Sequence, residues 1–145
     1  MQFKDREDAG RRLAKALDIY RNQNALILAI PRGALPIGRV VAEALSGELD
    51  AVLVRKLGAP YNPEFAVGSV GESGKVFVAD YAERAGASDA YIADETERQL
   101  TTIRRRRAQY DQVHRPVPIT GRTVIVVDDG MATGSTMVAA LQEVR

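Results

Sequence analysis

A run of four β-branched residues, Val124–Val127, leads directly into two acids and a glycine-rich turn, Gly130–Thr136. Such a run predicts a buried strand, which delivers Asp128 and Asp129 to the edge where open α/β sheets bind their ligands. The glycines let backbone N–H groups converge on an anion, and the N-terminus of the following helix adds positive partial charge. A phosphate turn beside two carboxylates indicates a ligand with a phosphate at one end and hydroxyls at the other, such as a sugar phosphate. The turn residues in question are Gly130, Ala132, Thr133, Gly134, Ser135 and Thr136.

Two commoner nucleotide-binding motifs are missing from the sequence. A P-loop requires a lysine directly after its second glycine, and Ser135 follows Gly134 instead. The dinucleotide fingerprint G-x-G-x-x-G does not occur either. The plainer alternative is an ordinary strand–turn–helix junction, which needs neither the acid pair nor three hydroxyl side chains.

The rest of the chain alternates short β-branched runs with amphipathic stretches, a pattern typical of α/β proteins with a central parallel sheet flanked by helices. Apolar positions from Ala9 to Tyr20 predict an opening helix. The other predicted elements are strand Ala25–Ile30, a helix from Pro36 closed by Gly47, strand Ala51–Val54, a hairpin of Ala66–Val70 with Lys75–Ala79, a long helix over about 88–111 capped by Ser88 or Asp89, strand Thr123–Val127, and a helix over Ser135–Arg145.

Composition narrows the possible functions. With 145 residues the chain is long enough for one domain, which we predict to span 1–145. The absence of cysteine and the single histidine, His114, exclude disulfides, cysteine nucleophiles and multi-histidine metal sites. The formal net charge of +1 favours no polyanionic partner, and no apolar run approaches the length that spans a bilayer. We therefore expect a soluble cytoplasmic protein with neither membrane nor nucleic acid as a partner.

The segment Val124–Thr136 resembles the motif by which type I phosphoribosyltransferases bind 5-phosphoribosyl-1-pyrophosphate (PRPP). That motif reads four apolar residues, two acids, Gly, any residue, Ala-Thr-Gly, any residue and Thr, and every fixed position is present. The resemblance implies that Asp128 and Asp129 hold the ribose hydroxyls and that Ala132–Thr136 cradles the 5-phosphate. It also implies Mg²⁺ held mainly by PRPP, with Asp128 or Asp129 reaching it through water.

Two further segments resemble pyrophosphate-binding parts of that family. Ile30–Gly33 resembles a loop in which a non-proline cis peptide exposes backbone N–H groups, and we expect the cis bond at Arg32–Gly33. Arg55 and Lys56 follow the predicted second strand, where the family carries basic residues with the same task. The alternatives are an ordinary Pro-Arg-Gly turn and a solvated strand end.

The implied reaction displaces pyrophosphate from C1 of PRPP by a nitrogenous acceptor, as in a pentosyltransferase of nucleotide metabolism. Asp128, Asp129, Arg32 and Lys56 are the candidate catalytic residues. We expect PRPP and a nucleobase as substrates, and a homodimer as the assembly. A PRPP-sensing regulator that binds nucleic acid and a non-catalytic PRPP-binding domain remain open alternatives.

The acceptor itself is not specified by the sequence. A hood segment over 57–80, with Tyr61 and Glu64, is the candidate for facing it. The block Arg104–Arg107 is expected either to form a solvated helix face or to belong to a mobile cover over the site. Because the chain stops inside a predicted helix, we also expect that further C-terminal strands of the fold are missing from it.

Overall fold

The structure is a computed structural model that describes residues 2–111, 117–130 and 134–145 (of Ser135, the backbone alone). These residues form two compact units. The described part of the first unit runs up to Val52 and from Val117 to Gly130, and the second unit holds the remainder. The single domain over 1–145 stays a prediction. No described helix is both long enough and apolar enough to cross a membrane.

The first unit contains a three-stranded parallel sheet. Its helices are α1 (Arg6–Ala16) and α2 (Ala34–Leu45), and its strands are β1 (Leu26–Ala29), β2 (Glu48–Ala51) and Val124–Val127. The last of these is the sixth strand in the described part of the chain, β6. The spatial order is β2-β1-β6, with Ala29 level with both Ala51 and Val127. Every residue of β1 is buried, as expected of a central strand covered on both faces. The predicted α/β class with a central parallel sheet is confirmed.

Helix α2 packs against this sheet, and α1 packs on α2. The close approach of the two helices depends on Gly10, since a Cβ there would lie 2.8 Å from the Cβ of Val40. Helix α2 begins two residues before the predicted Pro36, because proline is tolerated anywhere in the first turn. Its C-cap is Ser46, whose left-handed φ of 55° takes the role predicted for Gly47.

The second unit is built on an antiparallel sheet with the order β3-β4-β5. Its strands are β3 (Val54–Ala59), β4 (Asn62–Gly71) and β5 (Val76–Val78), and its helices are α3 (Asp89–Asp111) and α4 (Ser135–Glu143). The predicted hairpin is confirmed as β4–β5, and the long helix as α3. The Ser88 hydroxyl caps α3 by accepting a hydrogen bond of 3.1 Å from the Tyr91 N–H. Both α3 and α4 pack against β4.

The predicted second strand, Ala51–Val54, is wrong. Its first residue ends β2 and its last residue begins β3, so the apolar run covers the connection between two sheets. All four residues are buried, and no glycine or proline marks the break, so hydrophobicity alone joined two strand ends into one. The segment Gly58–Pro63, predicted to be loop, is mostly strand: β3 and β4 pair across it, and only Pro60 and Tyr61 connect them.

Candidate functional site

The two acids lie directly after β6, at the carboxyl edge of the parallel sheet, as predicted. The Asp129 N–H donates a hydrogen bond of 2.8 Å to Oδ1 of Asp128, which fixes the orientation of that carboxylate. Burial raises the pKa of the half-buried Asp128 carboxyl. The hydrogen bond from Asp129 opposes this rise in pKa, and the neighbouring Asp129 carboxylate adds to it. The edge therefore carries two carboxylates in different environments, one half-buried and one exposed.

The loop after β1 reaches the same edge, because parallel strands end on the same side of a sheet. It contains a non-proline cis peptide, which lies at Pro31–Arg32 and not at the predicted Arg32–Gly33. The resemblance indicates the loop and not which of its bonds is cis. Gly33, the residue after this bond, is the N-cap of α2 and has helical angles (φ −62°, ψ −29°). The Arg32 side chain is exposed, as a residue that meets a ligand must be.

Gly33 and Asp129 are in direct contact. A Cβ built on Gly33 would overlap the Asp129 carboxylate, so the close approach of loop and acid requires glycine. This contact joins the predicted pyrophosphate loop to the predicted ribose carboxylate within the first unit. It was not predicted, because the sequence separates the two residues by almost a hundred positions.

Arg6 is a second partner of Asp129 that the sequence did not indicate. Its Nη2 lies 3.2 Å from Oδ2 of Asp129. A cleft of about 760 Å³ opens beside this pair, and Arg6, Asp128 and Asp129 all line it. No motif contains Arg6, and only the packing of α1 on α2 brings it to the sheet edge.

The glycine-rich turn is described from Gly134 onward. Ala132 and Thr133, both predicted to bind the 5-phosphate, lie outside the described residues, as does the side chain of Ser135. Gly134 has a left-handed φ of 85° and is the N-cap of α4, a conformation for which glycine is the favoured residue. Helix α4 begins at Ser135 as predicted, with Thr136 half-buried in its first turn.

Arg55 and Lys56 belong to the second unit, in the interior of β3. The prediction that they end a strand of the parallel sheet is therefore wrong, because their strand starts a new, antiparallel sheet. The Nε of Arg55 donates a hydrogen bond of 2.9 Å to Oε1 of Gln99 on α3. Burial lowers the pKa of the Arg55 guanidinium, and the positive charge of Arg106 lowers it further.

Lys56 is more exposed than Arg55 and pairs with Glu64 across the β3–β4 hairpin. Its Nζ lies 3.3 Å from Oε2 of Glu64 and 3.3 Å from the Glu64 carbonyl oxygen. Both basic residues line one cleft of about 460 Å³. Tyr61, the other residue considered for the acceptor, is 92% exposed at the tip of the hairpin.

The four arginines of α3 have different surroundings. Arg107 binds the Glu72 carboxylate through two hydrogen bonds, of 2.7 and 2.9 Å. Arg106 is half-buried, while Arg104 and Arg105 are exposed. The block therefore forms no continuous basic surface, which gives the nucleic-acid-binding alternative little support. His114 lies outside the described residues.

Mg²⁺ was expected to be held mainly by the substrate, and the chemistry of the donor set fits that role. Residues 2–111, 117–130 and 134–145 contain no group of three or more acidic or histidine side chains that could hold a metal ion. Asp128 and Asp129 offer carboxylate oxygens, and Mg²⁺ commonly takes one or two carboxylates together with substrate phosphates and water.

The chain is similar to known proteins over nearly its whole length. The family model described as "Phosphoribosyl transferase domain" matches residues 2–145. Two Mycobacterium tuberculosis proteins, "Putative phosphoribosyl transferase MT0597" and "Putative phosphoribosyl transferase Rv0571c", are each 42% identical to this chain over 144 residues. The match covers 99% of this chain and 32% of each relative, so the chain spans about a third of their length.

A solved structure extends the similarity to three dimensions. The crystal structure of TT1426 from Thermus thermophilus matches with a TM-score of 0.78 at 46% sequence identity. The match covers 99% of this chain and 69% of that one. With the family model spanning all but the first residue, the chain belongs to the phosphoribosyl transferase domain family.

Proposed function

We propose that the chain binds PRPP with Mg²⁺ and transfers the phosphoribosyl group to a nitrogenous acceptor, a nucleobase, with release of pyrophosphate. The contact between Gly33 and Asp129 carries this proposal. In PRPP the pyrophosphate on C1 and the ribose hydroxyls on C2 and C3 are neighbouring substituents of one ring. A pyrophosphate loop and a ribose carboxylate must therefore be neighbours too, and Gly33 and Asp129 meet that requirement.

The acid pair is suited to ribose hydroxyls. Ionised carboxylates only accept hydrogen bonds, and hydroxyls are the donors of the sugar ring. Oδ1 of Asp128 already accepts the Asp129 N–H, so its second oxygen is the natural acceptor for a ligand. The half-burial of Asp128 strengthens such a bond, because less water competes for the carboxylate.

The 5-phosphate is assigned to the turn Gly130–Thr136, including Ala132 and Thr133. The support comes from Gly134 and α4: a left-handed glycine turns the chain into a helix, whose N-terminal N–H groups and dipole attract anions. Thr136 adds a hydroxyl in the first turn of that helix.

The leaving pyrophosphate is assigned to Arg32, Gly33, Arg55 and Lys56. In the proposed reaction a C1–N bond forms while the C1–O bond breaks, the bonding electron pair departs with pyrophosphate, and the acceptor nitrogen loses its proton to water. Arg32 and Lys56 meet the charge that develops on the departing oxygen, and the fixed ribose holds C1 in line with the acceptor. Bound Mg²⁺ supplies further neutralisation of the pyrophosphate charge.

The test is pyrophosphate release from PRPP and Mg²⁺ in the presence of purine, pyrimidine and amine acceptors, one at a time. The proposal predicts release that depends on one class of acceptor and is lost in Asp128→Asn. Release that continues unchanged in that variant would remove the acid pair from the mechanism. Tight PRPP binding without release for any acceptor would favour a non-catalytic or regulatory PRPP-binding domain.

A further inference from the structure

Among the described residues, Arg6 places a positive charge against the proposed ribose carboxylates. It lies outside the motif Val124–Thr136. Its Nη2 lies 3.2 Å from Oδ2 of Asp129. We infer that Arg6 is a positioning residue for phosphoribosyl transfer, which holds Asp129 by one oxygen and leaves Oδ1 to accept a ribose hydroxyl. This inference rests on the proposed function.

The backbone of Arg6 is fixed by the cap of α1. Asp5 is the N-cap and accepts a hydrogen bond of 2.7 Å from the Asp8 N–H. The Lys4 N–H in turn donates to Oδ2 of Asp8 at 3.0 Å. Such reciprocal bonds hold the first helical turn in place, and Arg6 is the first residue of that turn. The side chain therefore starts from a defined position.

The helix as a whole is held against α2 through Gly10, which allows contact with Val40. Helix α2 begins directly after Gly33, so the element that supports α1 also carries the pyrophosphate loop. A Cβ on Gly33 would lie 3.2 Å from the Arg6 Nη2 and would overlap the Asp129 carboxylate. Arg6, Gly33 and Asp129 thus form one contact group at the sheet edge.

The charges at this edge explain what such a residue contributes. Asp128 and Asp129 are adjacent in sequence and repel each other when both are ionised. A cation bound to Oδ2 of Asp129 offsets that repulsion and fixes the plane of the carboxylate. A guanidinium does so at a defined angle, because its N–H groups are rigidly directed.

The solvent exposure of Arg6 and Asp129 indicates that their ion pair contributes little to the stability of the fold. The side chains of Arg6 and Asp129 are 57% and 39% exposed, so water screens the ion pair and its contribution to folding is small. Loss of Arg6 is therefore expected to affect ligand binding and leave the unfolding temperature nearly unchanged.

The test compares Arg6→Gln and Arg6→Lys with the matched control Arg11→Gln. Arg11 lies on the same helix, is 58% exposed, and pairs with Glu7 and Asp8 instead of the acid pair. Calorimetric titration with PRPP and Mg²⁺ measures Kd for each variant, and thermal unfolding confirms that each is folded. We expect Arg6→Gln to weaken binding about fivefold, with Arg6→Lys in between and Arg11→Gln within about twofold of wild type.

The same substitution in an Asp129→Asn background shows whether Arg6 acts through that carboxylate. Coupled residues are non-additive, so Arg6→Gln should then change Kd by less than about twofold. An equal loss in both backgrounds, or wild-type affinity in Arg6→Gln alone, would overturn the inference while the proposed function stands. A wild-type chain that does not bind PRPP would overturn both.

Discussion

The Cα of Gly33 lies against the carboxylate of Asp129, and a side chain at position 33 would occupy the space of that carboxylate. The φ of Gly33 is −62°, which any residue adopts, so glycine is needed here for space and not for conformation. Gly33→Ala should therefore displace Asp129 and weaken PRPP binding by about tenfold or more. Calorimetric titration measures the loss. Wild-type affinity in a variant with an unchanged unfolding temperature would contradict the role given to this contact.

We predict that the half-buried Asp128 carboxyl makes the stability of the folded chain depend on pH. Its pKa in the folded chain is raised above the ordinary 3.8, mainly by burial. Between 3.8 and the raised value the folded state holds a proton that the unfolded state releases, so stability falls as pH rises through that window. Above the window the folded chain carries the full free-energy cost of burying the Asp128 carboxylate. Asp128→Asn removes that cost.

We therefore expect Asp128→Asn to unfold at a higher temperature than wild type at pH 7, with the gap closing as the pH approaches 3.8. Scanning calorimetry at both pH values measures it. The control is Asp80→Asn, which changes an exposed aspartate of the second unit. A variant no more stable than wild type at pH 7 would show that burial does not penalise the Asp128 carboxylate.

Substitutions of Lys56 and Glu64 are predicted to change the affinity for pyrophosphate in opposite directions. Lys56→Gln should weaken the binding of magnesium pyrophosphate by about tenfold, because a charge-assisted hydrogen bond is lost. Glu64→Gln should tighten it by up to about fivefold, since the exposed Glu64 carboxylate competes for the same ammonium group. Titration calorimetry with pyrophosphate measures both, with Lys75→Gln as the control. Equal affinities in wild type and Lys56→Gln would remove Lys56 from the pyrophosphate site.

The Arg107–Glu72 pair is predicted to stabilise the second unit. Its two short hydrogen bonds join α3 to the β4–β5 turn, and the side chains are 21% and 33% exposed. Arg107→Gln should lower the free energy of unfolding by about 1–2 kcal/mol. Arg107→Lys should not restore it, because an ammonium group cannot form two parallel hydrogen bonds to one carboxylate. Urea denaturation measures the loss. Arg105→Gln, an exposed position on the same helix, should be neutral; an equal effect of both variants would contradict the prediction.

The elements predicted well from the sequence are those with strong local signals. Strand β6 follows from four β-branched residues, and α3 from the cap predicted at Ser88 or Asp89. The failure at Ala51–Val54 arose because two strands from different sheets meet in one buried apolar run. Burial is shared by strands and by their connections, so hydrophobicity could not locate the boundary.

The candidate site was predictable only where its residues are adjacent in sequence. The acid pair and the helix after Gly134 follow from one continuous motif. The contacts of Asp129 with Arg6 and Gly33 depend on how α1, α2 and the sheet pack, and local pattern carries no such information. The predicted cis peptide is wrong by one residue, because the motif indicates the loop and carries no information on which of its bonds is cis.

The most direct measurement is a calorimetric titration of PRPP in the presence of Mg²⁺, on wild type and on the double variant Asp128→Asn/Asp129→Asn. We predict binding by wild type that weakens at least tenfold, or about 1.4 kcal/mol, in the double variant. The double variant must show a thermal unfolding transition, so that loss of binding is not loss of fold. PRPP binding of equal strength in both proteins, or none in wild type, would contradict the assignment of Asp128 and Asp129 as the ribose-binding pair.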